Sequence, residues 1–226
     1  MLDSQVNLEF QKITMDFPGV RALEDISIKI QGGEITALMG ENGAGKSTLL
    51  KILYGDYHPT EGRFFLNGQE KKYKEPHQAI NDGISIIYQE RQIVQYLSVA
   101  ENVFMGKFPV KKNGLIDFRK LNKETGKLID EFGLDIKPTE RVKDLSIAHQ
   151  QMVEIMKACN RSLRVIAFDE PTASLSDKEI VSLYKVIRRL KQEGKIIIYV
   201  SHRMKEIFEI SDRIIVFKDG KIVDNV

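Results

Sequence analysis

Gly40-Glu41-Asn42-Gly43-Ala44-Gly45-Lys46-Ser47 is the stretch on which the reading of this chain turns. The apolar run Ile35-Thr36-Ala37-Leu38-Met39 leads into it, and Ser47-Thr48-Leu49-Leu50-Lys51-Ile52-Leu53-Tyr54 leaves it with helical spacing. Strand, loop and helix therefore follow in the order that a phosphate-binding loop requires. In the pattern G-x-x-x-x-G-K-S, small residues let successive backbone N–H groups curl around a phosphate, and the helix N-terminus adds its positive dipole end. Anions are what such a loop binds. Lys46 is expected to reach the β- and γ-phosphates of a nucleotide, Ser47 to ligate a magnesium ion bridging them, and Thr48 to donate to the α-phosphate. A chance glycine-rich turn is the competing explanation, and it accounts for neither the strand before the loop nor the helix after it.

The bulk properties set bounds on the rest. With 226 residues the chain is long enough for one sizeable α/β core carrying an insert, and too short for two independent catalytic domains. An apolar fraction of 42% and a charged fraction of 29% are ordinary for a globular protein. Lys and Arg total 34 against 32 Asp and Glu, a net charge of +2, which is no nucleic-acid footprint. Met1 to Asn7 holds no apolar stretch of the signal-peptide kind, and no later window approaches the ~20 apolar residues that span a bilayer. A cytoplasmic location is expected. The single cysteine, Cys159, has no partner for an internal disulfide and is read as core filling.

Along the chain, Leu8-Glu9-Phe10-Gln11-Lys12-Ile13 and Ile26-Ser27-Ile28-Lys29-Ile30 alternate apolar and polar, which predicts half-exposed antiparallel strands joined through a turn containing Phe17-Pro18-Gly19. Arg63-Phe64-Phe65-Leu66 with Asn67-Gly68 predicts a second hairpin. Ile84–Tyr88, Val165–Phe168, Ile196–Val200 and Ile214–Phe217 are continuous apolar runs, fitting strands buried on both faces of a parallel sheet. Between Tyr88 and Arg164 helical spacing takes over, with Leu121, Leu128, Ile129 and Phe132 on one helix and Met152, Ile155, Met156 and Cys159 on another. Ile180, Leu183, Tyr184, Ile187 and Leu190 form a later helical stripe. The basic residues around it are read as a solvated face.

Three strand ends carry candidate chemistry. Val165–Phe168 runs into Asp169-Glu170-Pro171-Thr172, where Asp169 can hold magnesium through water and Glu170 can orient or deprotonate an attacking water. Ile196–Val200 ends in Ser201-His202, placing His202 to contact a γ-phosphate. Ile84–Tyr88 ends in Gln89, a neutral group able to touch magnesium or the lytic water. For an isolated His or Gln a plain surface role is the ordinary reading. Their shared position at the carboxyl edge of the strands favours function here.

Gly40 to Ser47, Gln89, Leu145-Ser146, Asp169-Glu170-Pro171-Thr172 and His202 occur in the order of an ATP-binding cassette (ABC) ATPase, which the chain resembles over essentially its whole length. Within that superfamily it is most similar to the N-terminal ATPase half of bacterial ribose/galactose-type sugar importers. This finer likeness is carried by Phe17-Pro18-Gly19-Val20-Arg21-Ala22-Leu23, Leu97-Ser98-Val99-Ala100-Glu101-Asn102-Val103 and Gln150-Gln151-Met152-Val153-Glu154-Ile155. The resemblance implies an α/β P-loop NTPase (RecA-like) core with a mainly parallel sheet, an antiparallel β subdomain near the N-terminus and a helical insert. As a single nucleotide-binding domain over 1–226, its core and β subdomain take up about 1–89 and 161–226, and its helical subdomain about 90–160. ATP and Mg2+ are the implied cofactors, with Phe17 stacked on adenine or, alternatively, a plain turn-packing residue. The implied partners are a second ABC ATPase domain, following in the same polypeptide or supplied by a homodimer, transmembrane permease subunits and, indirectly, an extracytoplasmic sugar-binding protein. No nucleic acid is implied. Placement is on the inner face of the membrane, and a linker is expected to begin at Gly220 to Val226.

The departures matter as much. The family signature, Leu-Ser-Gly-Gly-Gln at a helix start that reaches the partner's γ-phosphate, is here Leu145-Ser146-Ile147-Ala148-His149. Glycine permits close approach and unusual φ, which β-branched Ile147 restricts. The chain's own loop is therefore expected to work with a good signature from a partner and to donate a weaker one in return. Ala173-Ser174-Leu175-Ser176 also lacks the aspartate usual after Asp169-Glu170. Ile93, Val94, Tyr96 and Leu97 are candidates for permease contact or for core packing. The main expectation is a transport motor that hydrolyses Mg-ATP. The alternatives are a soluble non-transport ABC ATPase, disfavoured because Lys46 and Ser146 are too close in sequence to enclose a long coiled coil, and an ATP-binding regulatory module with weak hydrolysis.

Overall fold

Alternation in the first thirty positions builds one hairpin. β1 (Asn7–Phe17) and β2 (Val20–Gln31) pair antiparallel, with Phe17 opposite Val20 across Pro18-Gly19. A register shift between Phe10 and Ile13, with Lys12 at φ 52, lets both apolar side chains bury on the same face although they stand three apart. β4 (Glu61–Leu66) and β5 (Gln69–Lys71) extend this sheet in the order β2-β1-β4-β5, turning at Asn67-Gly68, both with positive φ as a two-residue hairpin turn demands. Phe10, Phe64 and Tyr73 stack in succession on it, with ring centroids 5.7 Å apart at each step.

The second sheet has the order β10-β9-β3-β8-β7-β6. β3 (Ile35–Met39), β7 (Val165–Asp169), β8 (Ile196–Val200) and β9 (Arg213–Lys218) run parallel, while β10 (Lys221–Asn225) is antiparallel to β9 and β6 (Ile84–Ile87) lies beyond β7. The apolar runs of β3, β6, β7 and β8 are buried almost throughout, as the lack of alternation predicts. β9 differs: Ile215 and Phe217 are buried, but Ile214 and Val216 are only half-buried, because β9 lies one strand from the sheet edge. Gly220 to Val226, expected to open a linker, instead supplies β10 and its turn.

The described residues are 6–88, 92–173 and 175–226 of this computed structural model. They divide into two units, Met1–Ile86 with Leu163–Glu170 and Ile187–Val226, and Ile87–Ser162 with Pro171–Val186. The first unit holds both sheets together with α1 (Lys46–Tyr54), α2 (Pro76–Asn81) and α7 (Met204–Ile210). α1 ends at Gly55, whose φ of 87° allows its N–H and that of Asp56 to bond the last carbonyls of the helix.

The second unit is helical. α3 (Val99–Val103) starts in a reciprocal capping box between Ser98 and Glu101 and packs against α4 (Phe118–Phe132) and α5 (Ile147–Cys159). On α4 the buried stripe is Leu121, Thr125, Ile129 and Phe132, with Thr125 bonding the Leu121 carbonyl, while Leu128 lies half-buried at its margin. Met152, Ile155 and Met156 of α5 are fully buried and Cys159 partly so. Asn102, completely buried, bonds Val94 through both N–H and C=O and so orders the segment before α3. Val94 and Tyr96 remain exposed and Ile93 and Leu97 half-buried. α6 (Asp177–Gln192) begins in this unit and ends in the other. Among the described residues no helix is long and apolar enough to cross a membrane.

Candidate active site

Parallel pairing of three neighbouring strands brings the candidate residues to one sheet edge. β3 runs into the Gly40–Ser47 loop, β7 into Asp169-Glu170, and β8 into Ser201-His202. β8 lies between the other two, and its Val200 is in register with both Leu38 and Asp169. The three carboxyl ends therefore stop level with one another, where open α/β sheets hold their ligands.

The loop is shaped by glycine where glycine is needed. Gly45 has φ 103°, and a Cβ there would stand 2.5 Å from Leu23 Cδ2 and 2.7 Å from the Ala22 carbonyl oxygen. Glu41, Asn42 and Gly43 are exposed, whereas Lys46 is only 7% exposed and donates from Nζ to the carbonyls of Gly40 at 2.8 Å and Glu41 at 2.9 Å. Burial pushes the Lys46 ammonium below the usual lysine range, and the carboxylates of Asp169 and Glu170 oppose that shift. A cavity of about 510 Å³ opens on the outer side of the loop, lined by Glu41, Asn42, His202, Met204 and Phe217 among others.

Ser47 Oγ donates to Asp169 Oδ2 at 3.1 Å, joining the first turn of α1 to the end of β7. Burial raises the Asp169 carboxyl above the usual aspartate range. Glu170 adds to the rise, and the Ser47 bond, Lys46 and Lys51 counter it. Glu170 adopts φ 52°, a left-handed conformation that costs a non-glycine residue about 1–3 kcal/mol and that clusters at functional sites. Its N–H is held by the Val200 carbonyl at 2.9 Å. Its Oε1 lies 2.8 Å from His202 Nδ1, an arrangement in which an ionised Glu170 accepts from Nδ1–H.

Thr48 is half-buried on α1. Phe17, half-buried at the end of β1, meets the edge of Tyr57 with centroids 5.3 Å apart and planes at 73°, and Lys51 Nζ lies 5.1 Å from the Tyr57 ring centre. Tyr57 follows the end of α1 in a stretch without periodicity, so nothing in the sequence marked it.

In the helical unit, Ser146 caps α5 by accepting from the His149 N–H at 3.1 Å. Leu145 is half-buried, Ile147 is 54% exposed at the first helical position, and Ala148 is half-buried. His149 Nε2 lies 3.9 Å from Glu179 Oε1. Glu179 accepts from Ser176 N at 2.9 Å and Ser176 Oγ at 2.6 Å, and although burial works the other way, these bonds and His149 hold its carboxyl below the usual range. The Ser176-x-x-Glu179 spacing was the available signal for this cap. Gln89 lies outside the described residues.

A family model described as ABC transporter matches residues 23–173. The chain belongs to the ABC transporter family. Among the relatives of this ABC cassette are the proteins named arabinose import ATP-binding protein AraG from Escherichia coli O6:K15:H31 and from Shigella flexneri, each 52% identical over 223 residues and 99% of the chain. The chain spans 44% of their length. Solved structures of similar fold include a nucleotide-free ATP-binding cassette from an ABC transporter, with a TM-score of 0.85, 24% identity and coverage of 98% and 91% of the two chains. A dimeric bacterial ABC transporter cassette matches with a TM-score of 0.84 and 23% identity over 97% of each. The cassette fold, α/β with a mainly parallel sheet, an antiparallel sheet and a helical insert, is thus the one expected from the loop and the buried strands. Within the first unit of this ABC cassette, contacts join Ser47 to Asp169 and Glu170 to His202, while the Leu145–His149 stretch belongs to the other unit.

Proposed function

We propose that the chain is the ATP-binding and hydrolysing motor unit of a sugar importer, of the arabinose, ribose and galactose kind, energising a membrane permease. The observation that carries the reading is the pair of contacts Ser47–Asp169 and Glu170–His202 beside a phosphate-binding loop. Identity of 52% to arabinose import ATP-binding proteins supports the cargo class. Gly40 to Ser47 wrap the phosphates, Lys46 turns from its loop carbonyls to the β- and γ-phosphates, and Thr48 donates to the α-phosphate. Ser47 and Asp169 are a hard oxygen pair fit to hold Mg2+. The ion, when bound, neutralises charge developing on the transferred phosphoryl group. Glu170 takes a proton from the attacking water, and His202, with Nδ1–H on Glu170, donates from Nε2 to the γ-phosphate in the imidazolium form, the only form with both ring nitrogens as donors. Phe17, backed by Tyr57, stacks on adenine. Leu145, Ser146, Ile147, Ala148 and His149 face the nucleotide of a second ABC ATPase domain, fused or in a homodimer. The cassette works at the cytoplasmic face of the membrane, with a sugar-binding protein on the other side.

The test is ATP turnover by wild type and Glu170→Gln, with molecular mass from light scattering with and without Mg-ATP. Turnover lost in the variant, with ATP still bound, is the expected result. Equal turnover in both proteins would leave an ATP-binding regulatory module instead. Uptake into vesicles carrying the permease, with arabinose set against ribose and galactose, tests the cargo.

A further inference from the structure

His202 has little of its own to hold it in place. Its side chain is 60% exposed, and the helix that follows, α7, has at its N-cap Arg203, whose side chain caps none of the helix N–H groups. Apart from the 2.8 Å contact with Glu170 itself, orientation of the imidazole rests on the backbone on either side. That backbone converges on one buried carboxylate. Glu206, 8% exposed, accepts from Ser201 Oγ at 3.1 Å and from Tyr199 Oη at 3.1 Å through Oε2, and from Arg203 Nη1 at 3.2 Å through Oε1. Ser201 Oγ in turn accepts from the Arg203 N–H at 3.0 Å, and the Glu206 N–H bonds the Arg203 carbonyl at 3.0 Å. Residues 201 and 203 are therefore both tied to Glu206, and Tyr199, wholly buried in β8, anchors Glu206 to the sheet.

We propose that Glu206 is a positioning residue for His202: it clasps the turn that carries the histidine and so holds Nδ1 against Glu170. It acts by removing the freedom of the two peptide units that flank the histidine. Arg203 Nη1, 3.2 Å from Oε1, opposes the buried charge. A purely structural account, in which Glu206 only satisfies the Tyr199 hydroxyl, predicts no link to His202.

The link is read by NMR of the histidine side chains, four in the chain, with the His202 signal assigned by its loss in His202→Asn. Glu170→Gln should move the His202 imidazole resonance in an otherwise wild-type chain. In Glu206→Gln and in the milder Ser201→Ala that response should be lost, while the chain stays folded by circular dichroism. A full response in both variants overturns the proposal. A second arm rests on the proposed ATPase reading: Glu206→Gln should lower turnover about tenfold to a hundredfold with ATP affinity unchanged, and should lower it no further in a His202→Ala background. Equal losses with and without His202 overturn the proposal. Absence of turnover in wild type would sink the ATPase reading alone, since the NMR arm does not depend on it.

Discussion

Asp169→Asn should stabilise the ligand-free protein while destroying its response to Mg-ATP. The fold disfavours the ionised form of Asp169, mainly through burial and also through the like charge of Glu170, against the bond from Ser47 and the cations Lys46 and Lys51. The sign follows from linkage: a carboxyl raised in the folded state holds its proton more tightly there. Stability is then greatest below the ordinary aspartate value of about 3.9 and falls as pH rises through the raised folded value. Asparagine keeps an oxygen for the Ser47 hydroxyl at 3.1 Å, so that bond weakens from charge-assisted to neutral, a loss of about 1 kcal/mol. Because the raised value already sums that bond against desolvation and repulsion, the net change remains a gain. With the site partly open to water, a gain on the order of 1 kcal/mol is expected, or about 2–4 °C in Tm for a chain of 226 residues. Thermal melts by circular dichroism from acid to pH 8 at low salt read it. The variant should melt higher at pH 7.5, and the two curves should merge in acid. With Mg-ATP at a hundred times its Kd, wild type should gain about 2.7 kcal/mol and overtake the variant. A variant that melts lower than wild type without ligand at pH 7.5, or a gap indifferent to pH, would refute the reasoning.

Gly45→Ala should destabilise the chain by about 2–5 kcal/mol, summing strain at positive φ and overlap with Leu23 and Ala22, and urea unfolding within 0.5 kcal/mol of wild type would contradict it. Phe17→Ala should raise the Kd for ATP about fivefold to a hundredfold through lost stacking of about 1–3 kcal/mol, with tripolyphosphate binding unchanged. A parallel loss of tripolyphosphate affinity would show that Phe17 packs the loop and does not hold the base. Combining Ile147→Gly, Ala148→Gly and His149→Gln should increase ATP turnover of the assembled transporter or of a homodimer, and unchanged turnover would show that the altered signature is no handicap.

Residues whose role follows from a period or a fixed spacing were legible in the sequence. The loop and the buried strands β3, β6, β7 and β8 belong to that class, because continuous apolar runs leave few options but a sheet covered on both faces. β9 misled for the same reason, since an apolar run does not reveal that its strand lies near an edge. Thr125 was invisible on α4 because a threonine counts as polar in the pattern, although its hydroxyl is satisfied by the carbonyl one turn back and its methyl is buried. Tyr57 and Glu206 act through tertiary contacts alone, and no spacing announces such contacts.

The two halves of the proposed chemistry are built by different physics, which explains how one is kept and the other changed. Asp169, Glu170 and His202 sit at or just beyond the ends of β7 and β8, and Lys46 and Ser47 open α1 after the loop from β3, so the β3-β8-β7 register of the buried sheet sets the level from which each segment starts. Leu145 to His149 depend on a helix start, where Ser146 and Ile147 are exposed and the other three only half-buried, so core packing imposes less there than on the sheet. There the substitution of a β-branched residue leaves the Ser146 cap intact at 3.1 Å, and His149 finds a neighbour in Glu179 at 3.9 Å. The helical unit therefore accommodates Ile147 and His149 with the Ser146 cap in place. On the proposed reading any cost would fall on the nucleotide of a second ATPase domain, so the chain can keep its Ser47–Asp169 and Glu170–His202 contacts while offering an altered signature.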